Sequence, residues 1–247
     1  MIYLIGLGIG GEHDISLRGL QACEKAKEVY AELYTAGWPG DLKKLGKRIG
    51  KDIKLLKRKD IEEEVRQLVK LGKNKNIAIL VPGDPLTATT HLNVLMEARE
   101  QGVKTEIIHS SSILTAVAET GLSLYNFGKT VTIVRPGKDY APTSFYDTAV
   151  KNSELGMHTL FLLDIDMDTS EGIQILMQIE QQKKKGLIDS DRRFIAASGL
   201  GSADSKVMYN KALEIVKRPL EPPAVLILPG KLHFTEEEFL KSLKRFA

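Results

Sequence analysis

The residue best suited to chemistry, Asp84, lies in a turn that follows an apolar run. The run at residues 77–81 predicts a buried strand, and Pro82-Gly83-Asp84-Pro85 follows it directly. Open α/β sheets bind ligands at the carboxyl ends of their strands, which is where this turn would place Asp84. A helical pattern over residues 86–99 supports a second interpretation, in which Asp84 caps that helix and Pro85 begins it. The two roles are compatible, because a capped helix start is also a polar pocket.

Three glycines near the start of the chain have the spacing of a dinucleotide-binding loop. Gly6, Gly8 and Gly11 match G-x-G-x-x-G after a predicted strand at residues 2–5. In dinucleotide folds the third glycine lies in the first turn of the helix. Here the helical pattern begins near Leu17, which favours close backbone approach to some other ligand. In a nicotinamide-dinucleotide module Glu32 would bind the ribose, but an ordinary strand position is the favoured interpretation of Glu32.

The remaining polar residues do not have the spacing of a metal or hydrolase site. The histidines of interest have no acidic neighbours in sequence and no His-x-x-x-His spacing: His109, His158 and His233. Three aspartates alternate at 164, 166 and 168, but the segment lacks the glycine and the terminal glutamate of an EF-hand. We therefore interpret it as a solvated loop and assign neither metal ligands nor catalytic residues.

The elements that must position these residues alternate between strand and helix in the first half of the chain. Strands are predicted at residues 2–5, 28–34, 53–56, 77–81 and 105–109, and helices at 17–27, 41–50, 60–71, 86–99 and 113–119. This alternation predicts a mainly parallel sheet with helices on both faces.

The second half repeats the α/β character after a polar, glycine-containing stretch at residues 121–129. Strands are predicted at 131–134, 158–163, 193–197 and 224–228, with helices at 144–151 and 172–182 and a last helix capped by Thr235. The predicted fold class is therefore α/β, with an N-terminal domain at residues 1–121 and a C-terminal domain at 122–247.

Composition narrows the class of protein further. The chain has 247 residues, a net charge of +3 and lysines spread along its length, so we expect no nucleic-acid partner. Cys23 is the only cysteine, which excludes an intrachain disulfide framework and a cysteine-rich zinc site. No apolar run approaches eighteen residues and no leader pattern is present, so we expect no membrane partner and a cytoplasmic location.

Several motifs carry a resemblance to a known family. Gly6-Leu7-Gly8-Ile9-Gly10, Leu17-Arg18-Gly19-Leu20 and Pro82-Gly83-Asp84-Pro85 resemble the tetrapyrrole (corrin/porphyrin) methylase family. The stretches 83–91, 109–113 and 161–165 and the C-terminal Pro229-Gly230-Lys231-Leu232-His233 resemble the branch of that family that acts on translation elongation factor 2. In order and separation they match that branch over nearly the whole chain.

This resemblance implies a class III methyltransferase fold, with two α/β domains, a cofactor cleft between them, and a homodimer. It implies S-adenosyl-L-methionine as cofactor, with contacts at Ile9, Asp84, Thr87, Ser112, Ile113, Leu163, Met208 and His233. Met208 is the least distinctive of these, because residues 201–211 contain no sharp motif. The implied reaction is threefold methylation of the amino group of a 3-amino-3-carboxypropyl-modified histidine on elongation factor 2.

Such a transfer asks little of side chains, because the sulfonium methyl group is already activated. Alignment of amine and methyl at about 3–3.5 Å can supply most of the acceleration. Asp84 is a conceivable proton acceptor, but no general base is assigned. The alternatives are a methylase of a corrinoid intermediate, which the C-terminal Pro-Gly-Lys-Leu-His speaks against, the dinucleotide module, and a non-enzymatic interaction protein.

Overall fold

The structure is a computed structural model that describes residues 1–138 and 140–243. Its contacts group the chain into two compact units. The first unit is Met1–Ala116 with Gly201–Ala203, and the second is Val117–Leu200 with the residues from Asp204 onward. The domain boundary expected between residues 121 and 122 stays a prediction, and residues 244–247 of the expected second domain lie outside the described residues.

Strands and helices alternate through most of the described residues. The strands are β1 Ile2–Gly6, β2 Glu28–Glu32, β3 Ile53–Leu56, β4 Ile77–Val81, β5 Thr105–Ile108, β6 Val131–Ile133, β7 Thr159–Leu163, β8 Arg193–Ser198, β9 Lys206–Lys211 and β10 Ala224–Leu228. The helices are α1 Leu17–Lys25, α2 Leu42–Ile49, α3 Arg58–Glu62, α4 Val65–Asn74, α5 Leu92–Glu100, α6 Ile113–Ala116, α7 Ser144–Glu154, α8 Thr169–Lys183, α9 Ala212–Lys217 and α10 Phe234–Leu243. Two 3₁₀ turns, Val117–Thr120 and Leu124–Asn126, complete the described elements.

The first unit contains a five-stranded sheet in the order β3-β2-β4-β1-β5. Every pair in it is parallel, as the alternation of elements predicts. The central strands β1 and β4 are buried along their whole length, because helices cover both faces of the sheet. Alternate residues of β4 pack into two separate cores: Ala78 and Leu80 on one face, and Ile77, Ile79 and Val81 on the other.

The second unit contains a mixed sheet in the order β6-β7-β10-β8-β9, in which only β6 and β7 pair in parallel. Its main core includes buried Phe161, Phe194 and Leu226. The sequence pattern predicts neither strand β9 nor helix α9. Strand β9, Lys-Val-Met-Tyr-Asn-Lys, is partly exposed at the sheet edge and lacks an apolar run. The α/β fold class with two sheets is confirmed.

Several predicted helices begin or end elsewhere. The helix expected at 113–119 ends at Ala116 and is followed by a 3₁₀ turn, and the one expected at 172–182 begins at Thr169. The helix expected at 60–71 is two helices, α3 and α4, separated at Glu63 and Glu64. The helix expected from residue 86 begins only at Leu92. The last helix begins at Phe234, so Thr235 lies inside its first turn and is not its cap. For the helix expected from residue 86, the hydrogen bond from the N–H of Leu86 to Oδ1 of Asp84 accounts for the later start.

Candidate functional site

The loops after β1, β4 and β5 lie together at the carboxyl edge of the first sheet. They follow three neighbouring parallel strands, with β1 in the middle. The glycine loop after β1 and the turn after β4 are bonded to each other, since Gly8 N donates to Gly83 O at 3.1 Å and Gly83 N to Gly8 O at 3.0 Å. A side chain at Gly6 would place its Cβ 2.5 Å from Gly83 O and 2.7 Å from Ser110 Cβ. The glycine therefore lets the two outer loops meet over the end of β1.

The glycine loop itself is held by side chains outside the glycine pattern. Gly8 has φ +73°, and a Cβ there would lie 2.5 Å from Asp14 Cβ. Asp14 Oδ2 accepts the backbone N–H of Gly10 at 2.7 Å, and Ser111 Oγ accepts that of Ile9 at 3.2 Å. The loop is thus shaped by close backbone contacts before α1 begins at Leu17. A dinucleotide fold would instead place the third glycine in the first turn of the helix.

Asp84 does not cap a helix, because no helix begins until Leu92. Its Oδ1 accepts the backbone N–H of Leu86 at 3.0 Å and the hydroxyl of Thr87 at 3.2 Å. Its Oδ2 accepts the backbone N–H of Ser110 at 3.2 Å and lies 2.7 Å from Nδ1 of His109. The helix-cap interpretation is therefore wrong, and the carboxylate instead joins the turn after β4 to the loop after β5.

These contacts keep Asp84 ionised. Burial would raise the pKa of its carboxyl, but the hydrogen bonds from Leu86, His109 and Ser110 outweigh burial and lower that pKa below its ordinary value. Asp84 is buried, whereas the side chain of His109 is 68% exposed. The four hydrogen-bond donors to this carboxylate belong to the turn after β4 and the loop after β5, so Asp84 holds these two segments together.

The other residues of the first unit that are predicted to contact the cofactor lie in the same loops. Thr87 N donates to Asp84 O at 3.2 Å, which closes a turn. Ser112 is buried, and its carbonyl accepts the N–H groups of Thr115 and Ala116, so it precedes α6. Ile113 is the first residue of that helix and is partly exposed. The structure therefore brings the segments of five predicted residues to neighbouring strand ends: Ile9, Asp84, Thr87, Ser112 and Ile113.

The three predicted contacts of the second unit lie at separate places. Leu163 ends β7, and Met208 lies in edge strand β9 beside Ala196. Both side chains are partly buried against the core of the unit. Met208 also lines a cavity of about 430 Å³ whose wall includes Arg193 and Tyr209. A core role is thus visible for both residues, and their assignment as cofactor contacts stays a prediction.

His233 precedes α10 and is exposed. Its ring lies 4.3 Å from that of Phe234, and its Nδ1 is 2.9 Å from Thr235 Oγ1. Its backbone N–H donates to Oε2 of Glu236 at 2.8 Å, and its carbonyl accepts the N–H of Glu237. His233 therefore occupies the cap position that the sequence analysis gave to Thr235, and its ring is open to a ligand.

Glu32 has a structural role that does not fit ribose binding. Its side chain is fully buried, and it accepts the backbone N–H groups of Tyr34 and Thr35 and the hydroxyl of Thr35 at 2.6 Å. Its Oε1 lies 3.3 Å from Nε2 of the equally buried His91. The carboxylate is therefore turned into the protein, as the favoured interpretation of an ordinary strand residue requires.

The expected solvated loop after β7 contains no metal-binding arrangement. Asp168 accepts the N–H of Glu171 and caps α8, while Asp164 accepts the N–H of Ile165. Within residues 1–138 and 140–243, no group of three or more His, Cys, Asp or Glu side chains is placed to hold a metal ion.

The described residues also contain no helix with the length and hydrophobicity that a membrane span requires.

Several residues that shape the candidate site lie outside the set of site residues predicted from the sequence. The set comprises Asp14, His91, His109, Ser111, His158 and Glu236. Asp14 and Ser111 carried a usable signal, because Asp14 lies between the glycine loop and the first helix, and Ser111 lies in the polar run that ends the strand predicted at residues 105–109. The buried pairs His91–Glu32 and His158–Glu236 carried none, because their partners are 59 and 78 residues apart in sequence.

Comparisons with known proteins show the family to which the chain belongs. The sequence model of the tetrapyrrole (corrin/porphyrin) methylase family matches residues 1–215. Diphthine synthase of Methanocaldococcus jannaschii is 40% identical and that of Methanococcus aeolicus 38%, each over 98% of this chain and 98% of the relative. A crystal structure of diphthine synthase is 32% identical with a TM-score of 0.88, covering 98% of this chain and 95% of that one. This chain therefore belongs to the tetrapyrrole (corrin/porphyrin) methylase family and is a methyltransferase.

Proposed function

We propose that this protein transfers methyl groups from S-adenosyl-L-methionine to a modified histidine of translation elongation factor 2, in diphthamide biosynthesis. The acceptor is the amino group of the 3-amino-3-carboxypropyl substituent, and three transfers give the trimethylammonium of diphthine. The observation that carries the proposal is similarity of 38–40% identity over nearly the whole chain to relatives named diphthine synthase. A match restricted to the shared cofactor motifs would have left a corrinoid acceptor equally favoured.

The geometry of the first unit fits the proposed cofactor. Three loops present backbone N–H and carbonyl groups, hydroxyls and apolar side chains, a mixture suited to an organic ligand. Ile9, Thr87 and Ile113 are only partly buried and so retain surface for contact. With Asp84 and Ser112, and with Leu163, Met208 and His233 of the second unit, they form the proposed set of cofactor contacts.

The chain's own part in the reaction is to hold the reactants. S-adenosyl-L-methionine, when bound, supplies a methyl group already activated by its positive sulfur. Asp84 fixes two of the binding loops through all four of its hydrogen bonds, and Ser111 and Asp14 fix the third. Since the carboxylate of Asp84 is committed to the loops, we assign it no proton transfer. Alignment at about 3–3.5 Å supplies most of the acceleration in such a transfer.

The setting of the reaction forms part of the same proposal. The acceptor lies on a large protein, so elongation factor 2 is the expected partner. We propose a homodimer in the cytoplasm, since the motifs resemble those of proteins with that organisation. A nicotinamide dinucleotide is not expected to bind, because the glycine loop does not open a helix and Glu32 is buried.

The test is transfer of labelled methyl from S-adenosyl-L-methionine into extract of archaeal cells that lack this gene, with protein separated from small molecules. We expect label in one protein band of elongation-factor size, and its loss when the modified histidine is replaced. Label found only among small molecules would contradict the proposal and favour a tetrapyrrole acceptor. Calorimetry with S-adenosylhomocysteine and with NAD provides the cofactor control, and binding of NAD alone would overturn the cofactor assignment.

A further inference from the structure

The loop between β10 and α10, residues 229–233, is held at both ends by buried side chains of the second unit. At its start, the backbone N–H of Gly230 donates to Nδ1 of His158 at 2.9 Å. At its end, the backbone N–H of His233 donates to Oε2 of Glu236 at 2.8 Å. The loop carries His233, the residue whose exposed ring is proposed to contact the cofactor.

The two anchors are also bonded to each other. Nε2 of His158 lies 3.3 Å from Oε1 of Glu236, and both side chains are buried, at 0% and 1% exposure. Because Nδ1 of the neutral ring accepts the N–H of Gly230, the ring proton is on Nε2 and points to the carboxylate. A chain of hydrogen bonds therefore runs from Gly230 through His158 and Glu236 to His233, and the backbone of residues 230–233 joins its two ends.

This chain of hydrogen bonds also contacts residues 123–127 of the same unit. Oε1 of Glu236 also accepts the backbone N–H of Ser123 at 2.8 Å and the amide of Asn126 at 3.2 Å. The backbone N–H of His158 donates to Asn126 O at 2.9 Å, and the ring of Phe127 packs edge-on against the imidazole at 5.3 Å. With these contacts the carboxylate has partners for both oxygens, and the ring for both nitrogens.

We infer that His158 and Glu236 are positioning residues for cofactor binding, which fix the backbone of residues 230–233 so that His233 is presented in one orientation. The inference rests on the proposed function, because His233 is a cofactor contact only within it. Neither buried side chain reaches a ligand, so both act through the loop. Loss of either link frees one end of the loop, and cofactor binding must then order it again.

Glu236→Gln tests the inference and Glu180→Gln is its matched control. The carboxylate of Glu180 also accepts four hydrogen bonds in the second unit, from Tyr146 and from the backbone of Gly186, Leu187 and Ile188, but it holds a loop distant in sequence from His233. We expect Glu236→Gln to weaken binding of S-adenosylhomocysteine at least about tenfold. We expect Glu180→Gln to lower the melting temperature comparably but change the affinity less than about twofold.

A double-mutant cycle with His233→Ala separates positioning from general destabilisation. In the wild-type background His233→Ala should weaken S-adenosylhomocysteine binding, and in the Glu236→Gln background it should add little, because the ring is already displaced. Kinetically, KM for S-adenosyl-L-methionine should rise more than kcat falls. Full additivity of the two substitutions, or equal effects of Glu236→Gln and Glu180→Gln on affinity, would overturn the inference.

His158→Gln gives a second route if Glu236→Gln does not fold, as judged by circular dichroism. The amide can still donate toward Glu236 but cannot also accept from Gly230 as the ring does, so affinity should fall as for Glu236→Gln. Unchanged affinity in a folded His158→Gln protein would refute the positioning role. Wild-type protein that binds no S-adenosylhomocysteine would instead refute the proposed function, so the two failures are distinguishable.

Discussion

Oδ2 of Asp84 lies 2.7 Å from Nδ1 of His109, across the end of the strand that separates their own strands. Gly6 makes this approach possible, because its missing side chain leaves the space through which the two loops meet. Asp84 of the Pro-Gly-Asp-Pro motif therefore joins two loops by hydrogen bonds and does not begin a helix.

Asp84→Ala should weaken cofactor binding by more than its loss of stability. The substitution removes the acceptor for Leu86, Thr87, Ser110 and His109 at once and leaves the loops free. We expect S-adenosylhomocysteine affinity, measured by calorimetry, to fall at least about tenfold. Asp168→Ala is the control, since Asp168 is a true helix cap and should cost about 1 kcal/mol of stability with little change in affinity. Equal affinity losses in the two variants would contradict a specific role for Asp84.

Gly8→Ala should damage both stability and cofactor affinity, whereas Gly50→Ala should affect stability alone. The two glycines have nearly the same φ, +73° and +72°, so each alanine carries a similar backbone cost of about 1 kcal/mol. A Cβ at Gly8 would also meet Asp14 and Ser111, while nothing lies within 4 Å of one at Gly50. Urea unfolding and calorimetry on both variants provide the measurement. Identical results would show that the close packing of the glycine loop is unimportant.

The imidazole of His91 should make the stability of the protein depend on pH. Burial lowers the pKa of His91 from 6.5 to about 4. Below pH 6.5 the unfolded chain binds a proton at this residue that the folded chain does not, so stability falls as pH decreases towards 4.

His91→Gln should remove this dependence. Between pH 7 and pH 5 the variant should gain about 2 kcal/mol of unfolding free energy relative to wild type. Burial raises the pKa of Glu32 and acts in the opposite direction, but that contribution is largely common to both proteins and mostly cancels in the difference. Urea unfolding at the two pH values measures it, and a difference independent of pH would show that His91 is solvated or charged in the folded state.

Glu236 should contribute stability that is lost only in acid. Burial alone would raise the pKa of this carboxyl, but the hydrogen bonds from His233, Ser123, Asn126 and His158 outweigh burial and lower it to about 2. The contribution is complete above pH 4.5 and disappears as pH falls towards 2, for a total of up to about 3 kcal/mol. The stability difference between wild type and Glu236→Gln should therefore narrow from pH 5 to pH 3. A constant difference over that range would place the stabilising effect elsewhere.

The fold class, the family and the places where loops follow strands could all be predicted from the amino-acid sequence. Strand β4 could be predicted because five consecutive apolar residues suit a strand buried on both faces. The glycine loop and the turn at Asp84 could be located because glycine and proline limit the backbone locally. These signals depend only on residues that are close together in sequence, so they can be recognised without a structure.

The contacts of the polar groups in the site depend on tertiary packing and could not be predicted from the sequence. The helix predicted from residue 86 fails because Asp84 takes the N–H of Leu86 into a turn and Ala88 adopts φ +55°, so α5 starts six residues later. The partners of Asp84, Glu32 and Glu236 come from loops 25 to 113 residues away, or from the next turn of the chain. A buried carboxylate must satisfy its oxygens with whatever donors the packed elements bring near, and the order of strands in the sheet, not spacing in sequence, sets which donors those are.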